Sequence, residues 1–320
     1  LEDATTLVAN RYRGLRVKVP SMPPRWEDPG AFLPLVENLA GRAPGVVAIE
    51  GRRLVGFLSG LLLPDFRGMP AILSLEWANG AEDGRSREVY QEMYAHLAAR
   101  WVADGYRTHL AVLMANDREG MDTWHWLGFG FEAADAMRDL SPVRSPISSG
   151  RTFVPLAGNS APEIEIRQAG MEDLALVIEL DQSLRRHMRA APTFLPLREQ
   201  DRPEVQERWL ADPANAQFIA YQAGEAVGFV RFGPASQDAC TIIRDEGTTS
   251  IVGAWVASHL RGSGIGTALL DHGLTWARGL CYQRCGVDFE PQNTVAVRFW
   301  LRDFQLVALA LGRTILPVTG

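Results

Sequence analysis

The chain repeats itself once, and this repeat constrains its fold more than any other feature. Residues 46–57 read VVAIEGRRLVGF and residues 218–229 read FIAYQAGEAVGF, so Gly56-Phe57 and Gly228-Phe229 coincide at an offset of 172 (228 − 56). Each segment is an apolar run broken by a short polar turn, Glu50-Gly51-Arg52 or Gln222-Ala223-Gly224-Glu225, the pattern of a β-hairpin. Further on, a helix-like stretch at 87–103 carries Trp101 and another at 266–278 carries Trp276, an offset of 175 (276 − 101). A short apolar strand follows each, His109 to Met114 and Gly286 to Phe289, and runs on to Asn116 or Asn293. Each asparagine leads into an aromatic-rich helix, with Trp124-His125-Trp126-Leu127-Gly128-Phe129 in the first and Phe299-Trp300-Leu301-Arg302-Asp303-Phe304 in the second. Two copies of one α/β unit are the simplest account.

The length of 320 residues suits two domains of ordinary size. Residues 141–162 are rich in Pro, Ser and Gly and read as a linker, with one short strand at Phe153-Val154. The expected lobes are therefore 1–140 and 163–320. The second opens with a strand, Ile164 to Gln168, and a helix from about Met171 to Met188 that spaces Leu174, Ile178, Leu180 and Leu184 along one face. The first has no matching opening strand and the chain starts at Leu1 without methionine, as expected of a truncated start.

Composition excludes several classes. A net charge of −6 argues against a sequence-independent nucleic-acid binder and suits a cationic substrate such as an amine. Three cysteines, Cys240, Cys281 and Cys285, make no disulfide framework. The Cys281-x-x-x-Cys285 spacing lacks a second ligand pair, so two buried thiols are expected rather than a metal site. No apolar run is long enough to span a bilayer and no signal peptide is recognisable, so a cytoplasmic protein that binds neither membrane nor nucleic acid is expected.

The chemistry is concentrated in TTSIVGAWVASHLRGSGIGT, residues 248–267. A strand ending at Trp255-Val256 leads to Arg261-Gly262-Ser263-Gly264-Ile265-Gly266, and an apolar helix then begins at Thr267. Glycines ahead of a helix let the backbone approach a ligand, and the positive helix end favours a pyrophosphate. A dinucleotide fingerprint fails because the sixth position from Gly262 is Thr267, and a Walker loop fails for want of lysine. The remaining pattern, Arg-x-x-Gly-x-Gly between strand and helix, resembles the pyrophosphate loop of the GNAT acyltransferases. Val256 lies five residues before Arg261, as that family expects, and Val287-Asp288-Phe289-Glu290, Asn293, Ala296 and Phe299-Trp300 look like its second block. The resemblance covers most of 163–320 and implies a mixed, partly splayed α/β sheet flanked by helices in each lobe. At the same offset the first copy has Ser86, Val89 and Gln91 with Glu88 and Glu92, so it looks unable to hold CoA. A silent lobe joined to a working one resembles tandem members of the superfamily.

The resemblance implies acetyl-CoA as co-substrate and direct transfer of its acetyl group to an amine of a small molecule. Backbone at Ala254, Trp255 and Val256 would hold the acetyl carbonyl and pantetheine. Amides of Gly262, Ser263, Gly264, Ile265, Gly266 and Thr267, with Arg261, would hold the pyrophosphate, and Asn293 and Trp300 would lie along the pantetheine. A general base is needed because a protonated amine has no lone pair. Strand alternation puts Asp288 and Glu290 on one face. Asp288 lies where some family members place their base, Glu290 is the alternative, and either could instead be structural. His259 is a further proton carrier or a plain surface residue. Many members place a tyrosine seven residues after the asparagine; here that position is Trp300, no usable acid, but a thiol of pKa about 8.5 leaves without one. The Arg185, Arg186, His187, Arg189 cluster reads as a solvated face or as a greeting for an anionic acceptor, and Glu76-Trp77 as packing or as part of a cleft. The missing tyrosine leaves a second expectation open, a non-catalytic acetyl-CoA-binding regulatory or interaction module.

Overall fold

The computed structural model describes residues 1–143, 164–197, 203–234 and 239–316; the strand expected at Phe153-Val154 lies outside them. The first half runs α1 (Glu2–Lys18), α2 (Pro29–Ala40), β1 (Gly45–Glu50), β2 (Arg53–Ser59), β3 (Leu61–Phe66), β4 (Met69–Ser74), β5 (Asn79–Ala81), α3 (Ser86–Ala103), β6 (Thr108–Met114), α4 (Arg118–Trp126) and β7 (Gly130–Asp139). The second runs β8 (Ile164–Gln168), α5 (Leu174–Arg189), α6 (Pro203–Ala211), β9 (Ala216–Gln222), β10 (Glu225–Pro234), β11 (Thr248–Val256), α7 (Ile265–Gly279), β12 (Arg284–Phe289), α8 (Thr294–Trp300) and β13 (Gln305–Thr314). Both expected hairpins form, and the second turns through Ala223 and Gly224 at positive φ, the geometry of a two-residue loop between twisted strands. The aromatic helices end sooner than expected, at Trp126 and Trp300, and Leu127–Phe129 and Leu301–Phe304 follow as turns.

Contacts divide the chain into two units that do not follow its halves. Unit 1 is Leu1–Met137 with Asp238–Arg244 and Phe289–Gly320; unit 2 is Arg138–Gln237 with Asp245–Asp288. The chain thus re-enters unit 1 twice after the expected linker. In unit 1 the strands run β3-β4-β6-β13-β7, beside a separate β1-β2-β5 sheet. The last strand, β13, inserts antiparallel between β6 and β7. Helix α1 has Glu2 and Asp3 in its first turn and Arg16 and Lys18 in its last, matching the helix dipole. Its Val8, Tyr12 and Leu15 form one buried stripe over a core with Trp26, Phe32 and Val307. The segment 239–243 is gripped by three side chains: Glu76 accepts from Ile242 N–H (3.0 Å), Asp135 from Cys240 N–H (3.0 Å), and Trp77 Nε1 donates to Thr241 Oγ1 (3.0 Å).

Unit 2 has the order β12-β11-β10-β9-β8. Helix α7 packs on β9 and β10 so closely that a Cβ at Gly273 would lie 2.0 Å from Phe232. Helix α5 buries Val177 and Leu180 against Ile219 and Phe229. The two units share a pairing pattern. In unit 1, Gly56, Phe57 and Leu58 pair with Ala81, Gly80 and Asn79; in unit 2, Gly228, Phe229 and Val230 pair with Val256, Trp255 and Ala254. The parallel pairs Ser74↔Ala111 and Ile251↔Val287 likewise correspond.

Candidate functional site

In unit 2 the sheet opens where the sequence places its chemistry. Arg231 pairs with Gly253 and the next residue, Phe232, with Ile251, so Val252 is the extra residue of a bulge in β11. The parallel ladder between β11 and β12 stops at Ile251↔Val287, yet β11 continues to Val256 along β10. The bulge turns β11 away from β12, and the far edge of Val252–Val256 is left without a strand partner among the described residues. An extended ligand can therefore take the place of a strand along Ala254, Trp255 and Val256.

A single turn at Ser258–Leu260 then brings the chain to the glycine loop. Arg261 Nε donates to Val256 O (3.1 Å), which ties the loop to the end of β11. Gly262 (φ 82°) and Gly264 (φ 94°) are left-handed, a conformation costly for other residues. A Cβ at either would meet nothing within 4 Å, so these glycines serve the backbone path rather than relieve a clash. The first intrahelical bond of α7 runs from Ala268 N–H to Gly264 O (3.0 Å), which puts the amides of Gly264, Ile265 and Gly266 ahead of the helical ladder. Gly262 and Ser263 are exposed, Gly266 and Thr267 half-buried, and Ile265 is buried as the helix's first anchor. The loop thus offers backbone donors and a positive helix end to an anion, with no metal-holding cluster among the described residues.

The two candidate bases separate. Asp288 is exposed on β12. Glu290 lies just past the strand end, half-buried; burial raises its carboxyl above the ordinary range, while its own backbone N–H and the Arg67 guanidinium pull it back. Asp288 closes unit 2 and Glu290 belongs to unit 1, as do Asn293 and Trp300. Asn293 is buried and its Oδ1 caps α8 by accepting from Ala296 N–H (3.3 Å). Trp300 is buried against Phe299 and Phe304, with ring centroids 4.7 and 5.5 Å apart. His259 is exposed. Cys240 and Cys285 are buried but Cys281, in the left-handed turn after α7, is exposed, which corrects the expectation of two buried thiols at 281 and 285. Glu76 and Trp77 are both buried inside unit 1.

The composition of the α5 cluster hid a buried ion pair. Arg185 contacts Asp181 (2.6 Å), and Asp181 in turn holds Arg231 (2.9 Å), whose Nε donates to Gln217 (2.6 Å). Nothing in spacing alone joins residues on α5, β9 and β10.

The equivalent place in unit 1 is filled. By register Asn79 stands where unit 2 has Ala254, and its Nδ2 donates to Val112 O (3.0 Å) on β6, bridging the gap between strands. Tyr90 donates to Asn79 Oδ1 (3.0 Å), Arg11 donates to Tyr90 (2.8 Å), and Arg11 is ion-paired with buried Asp117, which also caps α4. The connection from β5 to α3 has four residues, 82–85, against eight, 257–264, from β11 to α7. The stretch that forms the loop in unit 2 forms the first turn of α3 in unit 1.

Residues 182–304 match the family model described as Acetyltransferase (GNAT) family. Several solved structures are similar in outline. A GCN5-related N-acetyltransferase from Kribbella flavida is 13% identical, with 87% of this chain and 92% of that chain covered and a TM-score of 0.43. A functionally unknown conserved protein from Staphylococcus epidermidis is 12% identical, with 80% and 95% covered and a TM-score of 0.42. A ribosomal-protein-alanine N-acetyltransferase from Brucella melitensis is 19% identical, with 44% and 89% covered and a TM-score of 0.33. No curated protein matches the sequence. Among the described residues no helix is long and apolar enough to cross a membrane.

Proposed function

We propose that this chain transfers an acetyl group from acetyl-CoA to an amine of a small-molecule acceptor, and that unit 2 holds the acetyl-CoA. The observation that carries the reading is the conjunction, within the family-matched segment, of the open β11 edge with the two-glycine loop at the start of α7. Loop amides from Gly262 to Thr267 bind the pyrophosphate, and the backbone of Ala254 to Val256 pairs with the pantetheine arm. The amine nitrogen attacks the thioester carbonyl and the C–S bond breaks. The departing thiolate takes its proton from water, and the amine gives its proton to a carboxylate. We assign that proton to Glu290 rather than Asp288, because a half-buried carboxyl raised toward neutrality is a better base than an exposed one. Asn293 and Trp300 contribute by capping and packing α8.

Calorimetric titration of acetyl-CoA into the wild type, Gly264→Glu and Ser263→Glu tests the reading. One site in the wild type, lost in both variants with folding intact, supports it; the Ser263 variant adds charge without touching a left-handed position. No binding to the wild type overturns it. One-site binding without acetyl transfer across a broad amine panel would leave a non-catalytic acetyl-CoA module instead.

A further inference from the structure

Strand β1 is an outer strand of the small sheet in unit 1 and pairs with β2 alone. Its hairpin turns through Gly51 and Arg52, and a two-residue loop closes on a hydrogen-bonded pair, here Glu50↔Arg53. Glu50 therefore directs its N–H and C=O at β2. The extra residue where the register shifts is Val55 of β2, so direction alternates evenly along β1. Ala48, Val46 and Pro44 also face β2, in keeping with Ser59 Oγ donating to Pro44 O (3.3 Å). The backbone groups of Gly45, Val47 and Ile49 are left pointing outward, where no hydrogen bond meets them among the described residues.

Their side chains are open as well. Val47 pairs with Phe57 and Ile49 with Leu54, so all four lie on the face that packs against α1. Helix α1 covers β2, where Phe57 is 5% exposed, but leaves Val47 at 55% and Ile49 at 62%. The other face is closed by α3, with Val46 and Ala48 half-buried. Proteins blunt such an edge with lysine, proline or a bulge. The outer strand β3 of the same unit carries Pro64 and a register shift. Strand β1 carries no such device on its outward positions, because Pro44 is turned toward β2.

We propose that β1 is the docking edge for a second copy of this chain, joined antiparallel about a two-fold axis through Val47. In this register Val47 meets its own counterpart and Gly45 meets Ile49 in both directions, so every outward backbone group is satisfied. Ile49, the bulkiest outward side chain, falls opposite a residue without one, and the paired valines carry the apolar face across the joint. Either neighbouring register leaves Gly45 or Ile49 beyond the end of the opposite strand. The strand is thus complementary to itself. Charge agrees: Arg42, exposed in the turn before β1 and without an ion pair among the described residues, comes to the end of the joint that holds the second copy's Glu50. Six residues a side fall short of the ~800 Å² per partner of a stable interface, so the dimer is weak and concentration-dependent.

Sedimentation velocity of the full chain over a concentration series reads the association. Expected is a reversible monomer–dimer equilibrium in the wild type. Val47→Lys sets two ammonium groups opposite each other at the axis and should be monomeric throughout, with the wild-type Tm because the side chain is exposed. Cross-linking reads the register. In a Cys281→Ser background, which removes the exposed native thiol, Val47→Cys brings two thiols together across the axis and should form a covalent dimer on air oxidation. Ile49→Cys in the same background faces Gly45 and should not. A wild type that is monomeric at every concentration overturns the proposal and leaves the edge for the strand of a different protein. Assemblies beyond the dimer, a dimer that survives Val47→Lys, or cross-linking through Ile49→Cys in place of Val47→Cys overturn it as well.

Discussion

Helices α3 and α7 follow matching strands in the two units, yet only α7 is preceded by a loop with two left-handed glycines. The contrast has three parts. Unit 1 has two more residues between its equivalent positions, Leu75–Ala78 between Ser74 and Asn79, where unit 2 has only Val252-Gly253 between Ile251 and Ala254. It has four fewer residues before its helix (8 − 4), so Ser86–Val89 coil where Arg261–Gly264 stay open. And the gap between strands is occupied by Asn79, Tyr90 and Arg11 instead of being left clear. A splayed sheet exposes backbone donors and acceptors that something must satisfy. Unit 2 leaves them open along β11, and unit 1 satisfies them with its own side chains.

The largest effect expected from this comparison is on stability in unit 1. Arg11→Met leaves Asp117 buried without its cation, and removal of one partner from such a pair costs about 3–5 kcal/mol. Urea unfolding should show that loss while acetyl-CoA affinity per folded molecule stays at the wild-type value. A drop in affinity would mean that the filled cleft is not silent. Next comes the loop of unit 2. Gly264→Glu puts a carboxylate into the loop proposed to hold the pyrophosphate and should weaken acetyl-CoA about 100-fold, roughly 2.7 kcal/mol. The corresponding position in unit 1, Val89, is buried, so a charge there should unfold the lobe and leave the loop's chemistry intact.

Much of this was legible in the sequence because it rests on local signals. Gly-x-Gly after a strand marks a loop whatever surrounds it, and both hairpins and the paired tryptophans fixed the repeat. The unit boundaries were not legible. β13 is an ordinary apolar strand whose pairing with β6 and β7 depends on which sheet has a vacancy, and no local pattern states that. The filled cleft was missed for a related reason: Arg11, Asn79, Tyr90 and Asp117 come from four separate segments, and only the fold brings them together. The offset did place Ser86 and Val89 opposite the loop, but it could not show that Tyr90 would reach Asn79. Glu290 and Asp288 looked equivalent by alternation because the strand was assumed to continue; it ends at Phe289.

Packing of helix on sheet gives a smaller and symmetric test. In unit 1 the close approach is made by a strand glycine, whose Cβ at Gly56 would lie 2.4 Å from Val89; in unit 2 it is made by the helix, at Gly273 against Phe232. An added methyl forces the helix outward, so each alanine variant should lose about 1–3 kcal/mol. Only Gly273→Ala should also weaken acetyl-CoA binding, because only α7 carries the loop. Equal effects on affinity would mean that the two helices are mechanically coupled.

The smallest expected effect concerns Glu76, which lies in the extra length of chain that separates unit 1 from the simple bulge of unit 2. Burial raises its carboxyl above the ordinary 4.5, and the N–H groups of Ile242 and Thr241 with Arg244 only partly offset this. Its Oε2 is buried without a partner, as suits a protonated carboxyl more than a carboxylate. The sign follows from proton uptake on folding. The folded state holds the proton to higher pH than the unfolded chain, so this stability is full below 4.5 and is lost as pH rises through the folded value. Glu76→Gln keeps an acceptor for Ile242 and cannot ionise, so it should remove this contribution to the pH slope of unfolding stability. If the slope is unchanged, Glu76 is not the titrating group, and the grip on residues 239–243 belongs to Asp135 and Trp77 alone. Val252, its counterpart in the bulge, is half-exposed and apolar, and charge substitution there should leave the slope of unit 2 as it is.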